Sequence, residues 1–365
     1  MTPKKSLQEF ADERRGAQYA ENESIARDNR MLRSQVKDAT ERLTQAQTEV
    51  EAAHRELDLF TTKYTTRPEW ARIPKSTKEN HGTLLAMLSD THYGEVVNPS
   101  EMGGHNKYDL KIAEQRTERF FRRTVALARD YLAGVNYDGI YLALNGDIVS
   151  GDIHEELVET NEASTYETIL WATPRLAAGI EMWAKEFGRV HVVSTPGNHG
   201  RNSQKPRYKK RSANNADTLI AKLLARQFTK DDRVTFDVPD SNDVSFTIYT
   251  SRFVMEHGDE LVSFNGSAEI GALGPLVRGT NRKQTAHTAQ GYPFDYALWA
   301  HIHQLKQVPA SGFISNGSVK GYDEYAKGRI FRPERAQQSL VVVTPDFGIT
   351  TSMPVFVDER KSEGW

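Results

Sequence analysis

Five short clusters of the 365-residue chain are built from residue types that hold divalent cations: Leu88-Ser89-Asp90-Thr91-His92, Asn145-Gly146-Asp147, Pro196-Gly197-Asn198-His199, Glu256-His257-Gly258-Asp259 and Ala300-His301-Ile302-His303. Each follows an apolar run that reads as a β-strand. Ligands in sheet proteins gather outside strand carboxyl ends, so side chains more than 200 residues apart in sequence can converge there. The glycines at 146, 197 and 258 suit turns where a side chain would obstruct the backbone. The chain has no cysteine, which excludes disulfides, thiolate metal sites and a cysteine nucleophile. Ligation therefore falls to imidazole, carboxylate and amide, a donor set that suits Mn, Fe or Zn in an open, catalytic site. Two such ions about 3.5–4 Å apart clamp the attacking and departing oxygens of a phosphate displacement, with one carboxylate bridging them. In an ideal strand alternate residues point opposite ways, so His301 and His303 could not chelate one ion but can flank two. Taken singly each cluster is more often turn chemistry than a site; taken together, five in one order point to a two-metal hydrolytic centre. His54, His81, His105, His154, His191 and His287 lie outside the pattern and read as surface or structural residues.

The ordered set Asp90-x-His92, Gly146-Asp147, Gly197-Asn198-His199, His257-Gly258 and His301-x-His303 resembles the calcineurin-like metallophosphoesterase superfamily over roughly residues 82 to 320. That resemblance implies an α/β fold in four layers, two packed mixed β-sheets flanked by helices. It implies that Asp90, His92, Asp147 and His303 hold one metal and that Asp147, Asn198, His257 and His301 hold the other. His199 is then the general acid that protonates the leaving alkoxide. Three positions depart from the family's pattern: Gly200 where an acidic residue often follows Gly-Asn-His, Ser150 where the phosphoprotein phosphatases carry a second Asp, and Ala300 where the last motif usually begins with Gly. The first leaves open which carboxylate orients His199, with Asp152 and Glu155 nearest in sequence. The second counts against the protein-phosphatase branch.

The elements that must position these residues are legible as short β-branched or apolar runs alternating with helical stretches. Strands are expected at Thr83–Leu88, Gly139–Leu144, Val190–Ser194, Val244–Thr250, Arg252–Glu256 and Tyr296–Ala300, with two more near Gly312–Ser315 and Leu340–Val343. Helices are expected over Asp109–Tyr131, Tyr166–Phe187 and Asn215–Phe228. Before this domain, residues 1–66 read as a helical coiled coil. Val36, Leu43, Val50 and Leu57 fall at heptad a positions, Ile25, Leu32, Ala39, Ala46, Ala53 and Phe60 at d, and Asn22 and Asn29 continue the a series. A homo-oligomer through this helix is expected; a single amphipathic helix lying on the next domain is the alternative. Residues 67–81 read as a linker, 82–354 as the catalytic domain and 355–365 as a C-terminal tail.

The substrate class is sought in the segment after His199, where Arg201, Lys205, Arg207, Lys209, Lys210 and Arg211 supply six cations and no acid intervenes. The chain as a whole is near neutral, with 47 basic against 49 acidic residues and a net charge of −2. A basic run is usually just a solvated loop, but this one starts at the metal centre, where cations can neutralise successive phosphates of a nucleic acid. Arg278, Arg282 and Lys283 could extend the track, and Tyr208 could stack on a base. A nucleic-acid phosphodiesterase, a nuclease, is therefore expected. A phosphomonoesterase or small cyclic-nucleotide phosphodiesterase is the alternative, and a non-catalytic coiled-coil scaffold a third. The opening residues lack the apolar core of a secretory signal and no run reaches membrane-spanning length, so a cytoplasmic protein with no membrane partner is expected.

Overall fold

The computed structural model describes residues 6–61, 80–261, 273–329 and 331–364. Two units make up the chain, residues 1–77 and 78–365. Among its described residues the first holds one long helix, α1 (Leu7–Thr61), of 55 residues. At 1.5 Å per residue it extends about 80 Å. Its lack of proline sustains the helix past its one glycine, Gly16, but its apolar residues form only a thin stripe: Ile25, Leu32, Val36, Leu43 and Val50 are all exposed. The side chains of Leu57 and Phe60, residues 62–66, and all of the expected linker except Asn80 and His81 lie outside the described residues.

The second unit begins with β1 (His81–Leu88), so the last linker residue is already in a sheet. In chain order there follow α2 (Leu110–Ala126), β2 (Asn136–Asn145), α3 (Glu155–Thr160), α4 (Thr165–Phe187), β3 (Val190–Thr195), α5 (Ala216–Gln227), β4 (Val234–Asp237), β5 (Asp243–Ile248) and β6 (Ser251–Glu256). The chain continues through α6 (Leu273–Ala289), β7 (Tyr296–Trp299), β8 (Lys306–Val308), β9 (Phe313–Ser315), α7 (Glu324–Gly328), β10 (Gln337–Thr344), β11 (Gly348–Phe356) and α8 (Arg360–Glu363). One sheet has six strands in the order β11-β10-β1-β2-β3-β4, and the other five in the order β5-β6-β7-β9-β8. β1, β2, β3 and β4 run parallel, as do β6, β7 and β9. The remaining pairings are antiparallel.

The two-residue period of a strand sorts the core into layers. From β1, Leu85 and Met87 join Ala143, Val193, Val341 and Val343 against Phe246, Phe253, Met255, Leu298 and Ile314, which is sheet on sheet. The alternate residues Leu84, Ala86 and Leu88 face the other way and pack on Phe120, Phe121, Leu176, Trp183, Ile220 and Leu224 of α2, α4 and α5. Outside the second sheet, Val254, Ala297, Trp299 and Phe313 pack with Leu276 of α6. The result is helix, sheet, sheet, helix. Caps fix the helix starts: Ser164 and Glu167 form a reciprocal capping box at α4, and Asp109 accepts from Ile112 N at α2.

Three expectations need correction. The strand expected over Val244–Thr250 ends at Ile248, because Tyr249 takes a left-handed φ of 54° in the tight turn to β6. The segment from Leu273, which carries Arg278, Arg282 and Lys283 and for which no helix is expected, is helix α6 despite Gly274, Pro275 and Gly279. The described residues of the tail expected at 355–365 are part of the fold. β11 runs to Phe356, Val355 and Val357 are fully buried, and Glu363 of α8 is buried against Arg116 at 3.1 Å. Arg116 also donates to the carbonyls of Val319 and Lys320, tying that end of the chain to a segment beside the site described next.

Candidate metal centre

All five clusters follow strand ends: Asp90 and His92 come after β1, Asp147 after β2, Asn198 and His199 after β3, His257 after β6, and His301 and His303 after β7. Because the strands that carry them, β1, β2 and β3 in one sheet and β6 and β7 in the other, run parallel within each sheet, these loops meet at one edge of the sandwich. Sharp turns direct the side chains inward. Among the described residues seven non-glycine residues have positive φ, and five of them are Asp90, His92, Asp147, His301 and His303. Non-glycine residues seldom adopt this region, and strain of this kind gathers at functional sites. Close backbone approach explains two of the glycines. A Cβ on Gly197 would lie 2.2 Å from the Asp147 carboxylate, and one on Gly146, at φ 75°, would lie 2.5 Å from Gly197 N.

Three groups of side chains converge within ligand distance: Asp90, His92 and His303; Asp147, His257 and His301; and His92, Asp147 and His199. His92 Nε2 and His303 Nε2 face each other at 3.2 Å, and His303 Nε2 lies 3.4 Å from Asp90 Oδ1. Asp147 Oδ2 is 2.9 Å from His257 Nε2 and 3.9 Å from His92 Nε2, a central place between the groups. Asn198 Oδ1 is buried and accepts no hydrogen bond from the described residues. An orphaned buried acceptor of this kind costs stability unless a cation or water meets it. Facing imidazole nitrogens, two carboxylates and a spare amide oxygen, with no thiolate, fit divalent cations of borderline hardness.

Surrounding groups hold the ligand side chains in place. His257 Nδ1 donates to Asn145 O at 2.7 Å, which fixes the ring so that Nε2 faces Asp147. Asp90 Oδ1 accepts from His301 N, and its Oδ2 accepts from Ser89 Oγ at 2.6 Å. Ser89 in turn is held by Asn316. Glu95 Oε2 stands 3.3 Å from His92 Nδ1, while its Oε1 binds Lys320 Nζ at 2.8 Å; Lys320 also pairs with Asp323 at 2.5 Å. Asp217, at the start of α5, accepts from the backbone N–H groups of Asp147, Ile148 and Gly197 at 2.9–3.0 Å. Asp217, Glu95, Lys320 and Asp323 are absent from the sequence-derived set because they act through backbone or through each other. Only the Asn215–Asp217 helix-start pattern gives a signal for any of them.

The electrostatics follow from burial among these charges. Burial and the charges of Lys320 and His199 push His92 down to about 4, and burial with the His257 charge does the same to His301. Burial opposes the charge on His257, but the hydrogen-bonded Asp147 carboxylate outweighs it and lifts His257 to about 10. The same pair holds Asp147 well below the usual carboxylate range, although burial pulls it upward. A cation entering there displaces the shared proton. Asp217 is raised to about 6, by burial first and by the Asp147 charge second.

His199 is placed by a carboxylate at its backbone and a carbonyl at its ring. Its N–H donates to Asp147 Oδ1 at 2.7 Å, and its Nδ1 lies 2.8 Å from Ser150 O. Neither Asp152 nor Glu155 orients the ring; the backbone carbonyl of Ser150 does. A cavity of about 450 Å³ opens over His92, Asp147, Asn198, His199, His301 and His303.

The basic segment is partly spent on its own structure. Arg201 donates to the carbonyls of Asn198, Ser203 and Gln204, which folds the loop rather than leaving a phosphate ligand. Arg211 pairs with Asp259 and Glu260, and Lys283 with Asp243 and Glu256. Lys205, Arg207, Tyr208, Lys209 and Lys210 are exposed. Of these, Arg207, Lys209 and Lys210 line a small crevice that shares only Asn198 with the larger cavity.

No protein-family model matches the sequence, and no curated protein matches it. Solved structures with similar backbones include vacuolar protein sorting 29 from Cryptosporidium parvum, at 14% identity and a TM-score of 0.31, covering 75% of this chain and 97% of that one. A dimetal phosphatase from Danio rerio gives 11% identity and a TM-score of 0.34, covering 76% and 99%. A predicted phosphoesterase from Streptococcus pneumoniae gives 10% and 0.28, covering 75% and 97%. At these identities and scores the chemistry rests on the geometry of the site itself.

Proposed function

We propose that this chain is a phosphoesterase dependent on two divalent metal ions, and that its substrate is a nucleic-acid phosphodiester. The observation that carries the metal assignment is the convergence of Asp90, His92, Asp147, Asn198, His257, His301 and His303 from five strand ends, with Asp147 between the groups. Asp90, His92, Asp147 and His303 would hold one ion, and Asp147, Asn198, His257 and His301 the other. When bound, the ions supply a Lewis-acid clamp for the phosphate and activate water. His199 moves the proton. With Nδ1 donating to Ser150 O, the ring presents Nε2 to the cavity, and the imidazolium form gives that proton to the leaving oxygen. Burial lowers the His199 pKa, so the negative charge of a bound phosphate is what favours the protonated ring.

Support for the polynucleotide substrate comes from the exposed Lys205, Arg207, Lys209 and Lys210, the last three of which line a crevice that reaches Asn198. The size of the main cavity favours a second possibility, a small phosphoester such as a nucleotide. The exposed apolar stripe of α1 supports self-association through a coiled coil. The deciding experiment assays purified protein with Mn against single-stranded DNA, duplex DNA, RNA and a generic phosphodiester. Activity should vanish with chelator and return with Mn, and Asp147→Asn should lose metal as well as turnover. An Asp147→Asn protein with unchanged activity and metal content would sink the assignment.

A further inference from the structure

One wall of the cavity is built from residues that metal chemistry does not need. α7 and the residues after it bring Tyr325, Arg329, Phe331 and Arg332 to the cavity that the candidate ligands floor. Tyr325 and Phe331 stand with ring centroids 6.3 Å apart and planes at 75°, and the Arg329 guanidinium lies 5.5 Å from the Tyr325 ring. Tyr325 is 62% exposed, a large aromatic face left uncovered at a cavity wall. Arg329 and Arg332 are also exposed and pair with no carboxylate of the described residues. Neighbouring Arg335 differs, being held by Asp358 at 2.7 Å.

This wall is fixed to the centre. Asp323 caps α7 by accepting from Ala326 N at 2.8 Å, and it pairs with Lys320, which pairs with Glu95 beside His92. Glu324 accepts from Asn98 N at 2.9 Å, and Phe331 N donates to Ala326 O at 2.9 Å. The rings and guanidiniums are thus held at a set distance from the floor.

From this we infer that the cavity is a nucleotide subsite: a phosphate sits on the floor, a base lies against Tyr325 and Phe331, and Arg329 and Arg332 meet a further phosphate. The inference rests on the phosphoesterase proposal for its floor and deepens it by naming the substrate class. Every base offers a π-face to an aromatic ring, and guanidinium groups bind phosphate oxygens. A volume of about 450 Å³ lies within the range of small-ligand sites, roughly 300–1,000 Å³. Either a free nucleotide or one nucleotide of a strand supplies this chemistry.

The test is calorimetric titration of the Mn-loaded full chain with adenosine 5′-monophosphate and with ribose 5-phosphate, which lacks the base. Stacking implies a preference for the nucleotide of roughly 5- to 150-fold. Tyr325→Ala should erase that preference while leaving ribose 5-phosphate binding unchanged. Arg332→Gln should weaken adenosine 5′-diphosphate more than the monophosphate. A single-stranded oligonucleotide that displaces the monophosphate in a Tyr325-dependent way assigns the subsite to a strand; failure to displace it assigns the subsite to a free nucleotide. Equal affinity for the two monophosphates, or a preference that survives Tyr325→Ala, overturns the inference. Hydrolysis of a generic phosphodiester, measured in parallel, separates the two levels. Turnover without base preference refutes the subsite alone. Base preference without turnover refutes the phosphoesterase proposal and leaves nucleotide binding standing.

Discussion

Asp217→Asn tests the site's architecture without touching a candidate ligand side chain. The carboxylate joins the turn after β2 to the turn after β3 by accepting from Asp147 N, Ile148 N and Gly197 N. An amide of the same shape keeps one oxygen, which serves Asp147 and Gly197, and leaves Ile148 N–H facing an NH2 group. One unsatisfied buried donor costs about 1–3 kcal/mol. Against this stands relief of a buried charge, since Asp217 is raised from 3.8 to about 6. In the folded chain it therefore keeps a proton that the unfolded chain has lost, and its contribution to stability falls as pH rises from about 4 to about 6. At 1.36 kcal/mol per unit the full loss is about 3 kcal/mol at pH 7.5, and roughly half of that is present at pH 5. The variant escapes this loss. In chelator, urea unfolding followed by Trp fluorescence should show the variant gaining on wild type by about 1.4 kcal/mol between pH 5 and pH 7.5. The absolute difference at either pH depends on the lost hydrogen bond, but the change between them does not. With metal present the same substitution should weaken binding by roughly 10–100-fold, because the turns that aim Asp147 and Asn198 are no longer joined. A stability difference that is the same at both pH values, or metal affinity equal to wild type, would refute the reasoning.

Other outcomes follow from named contacts. His199→Ala should lower turnover by roughly 10²–10⁴ with metal retained, and less for a nitrophenolate leaving group that needs no proton; equal losses would give His199 a ligand role, as its distance to His92 and Asp147 allows. Neutralising Lys205, Arg207, Lys209 and Lys210 together should raise the KM for long nucleic acid, spare a small diester, and flatten the log–log salt dependence by about 0.7–0.9 per lost contact. Unchanged cleavage of long DNA and RNA at every salt concentration would remove the support for the nuclease. Leu43→Asp with Val50→Asp should reduce the mass measured by light scattering without altering metal binding, since a charge in an a/d seam is costly; an unchanged mass would leave only a docked helix or another partner.

The central strands were legible because burial on both faces writes them as continuous apolar runs. Thr83–Leu88 is one such run, and its alternate residues do sort into the two cores. Three of the four edge strands were not. β4 has four residues and β8 three, too few to show a period, and β11 carries the polar run Thr350-Thr351-Ser352, which breaks any alternation. The ends of the central strands carried the candidate ligands, so those residues were found with them. Residues that act on the backbone were hidden. Asp217 and Ser150 serve through three N–H groups and one carbonyl, and sequence records neither hydrogen-bond geometry nor the close approach of two turns.

The same limit separates the two claims about substrate. In sequence the basic run adjoins His199 and looks like the floor of a groove. In the fold Arg201 turns back on its own loop, Arg211 is neutralised by Asp259 and Glu260, and of the four remaining cations Arg207, Lys209 and Lys210 line a crevice that shares only Asn198 with the main cavity. The wall that does overlook the candidate metals comes from Tyr325, Arg329, Phe331 and Arg332, some 120 positions further along the chain, and carries both rings and guanidiniums. The two surfaces meet at Asn198 and would serve different parts of one ligand. A strand long enough to reach the exposed lysines while one nucleotide occupies the cavity uses both, and then the quadruple loop variant and Tyr325→Ala lower its affinity independently, with additive free energies. A free nucleotide uses only the wall, and the loop variant leaves its affinity unchanged. Additivity on an oligonucleotide, set beside indifference to the loop on the monophosphate, is therefore the pattern that separates a nuclease from an enzyme of small phosphoesters.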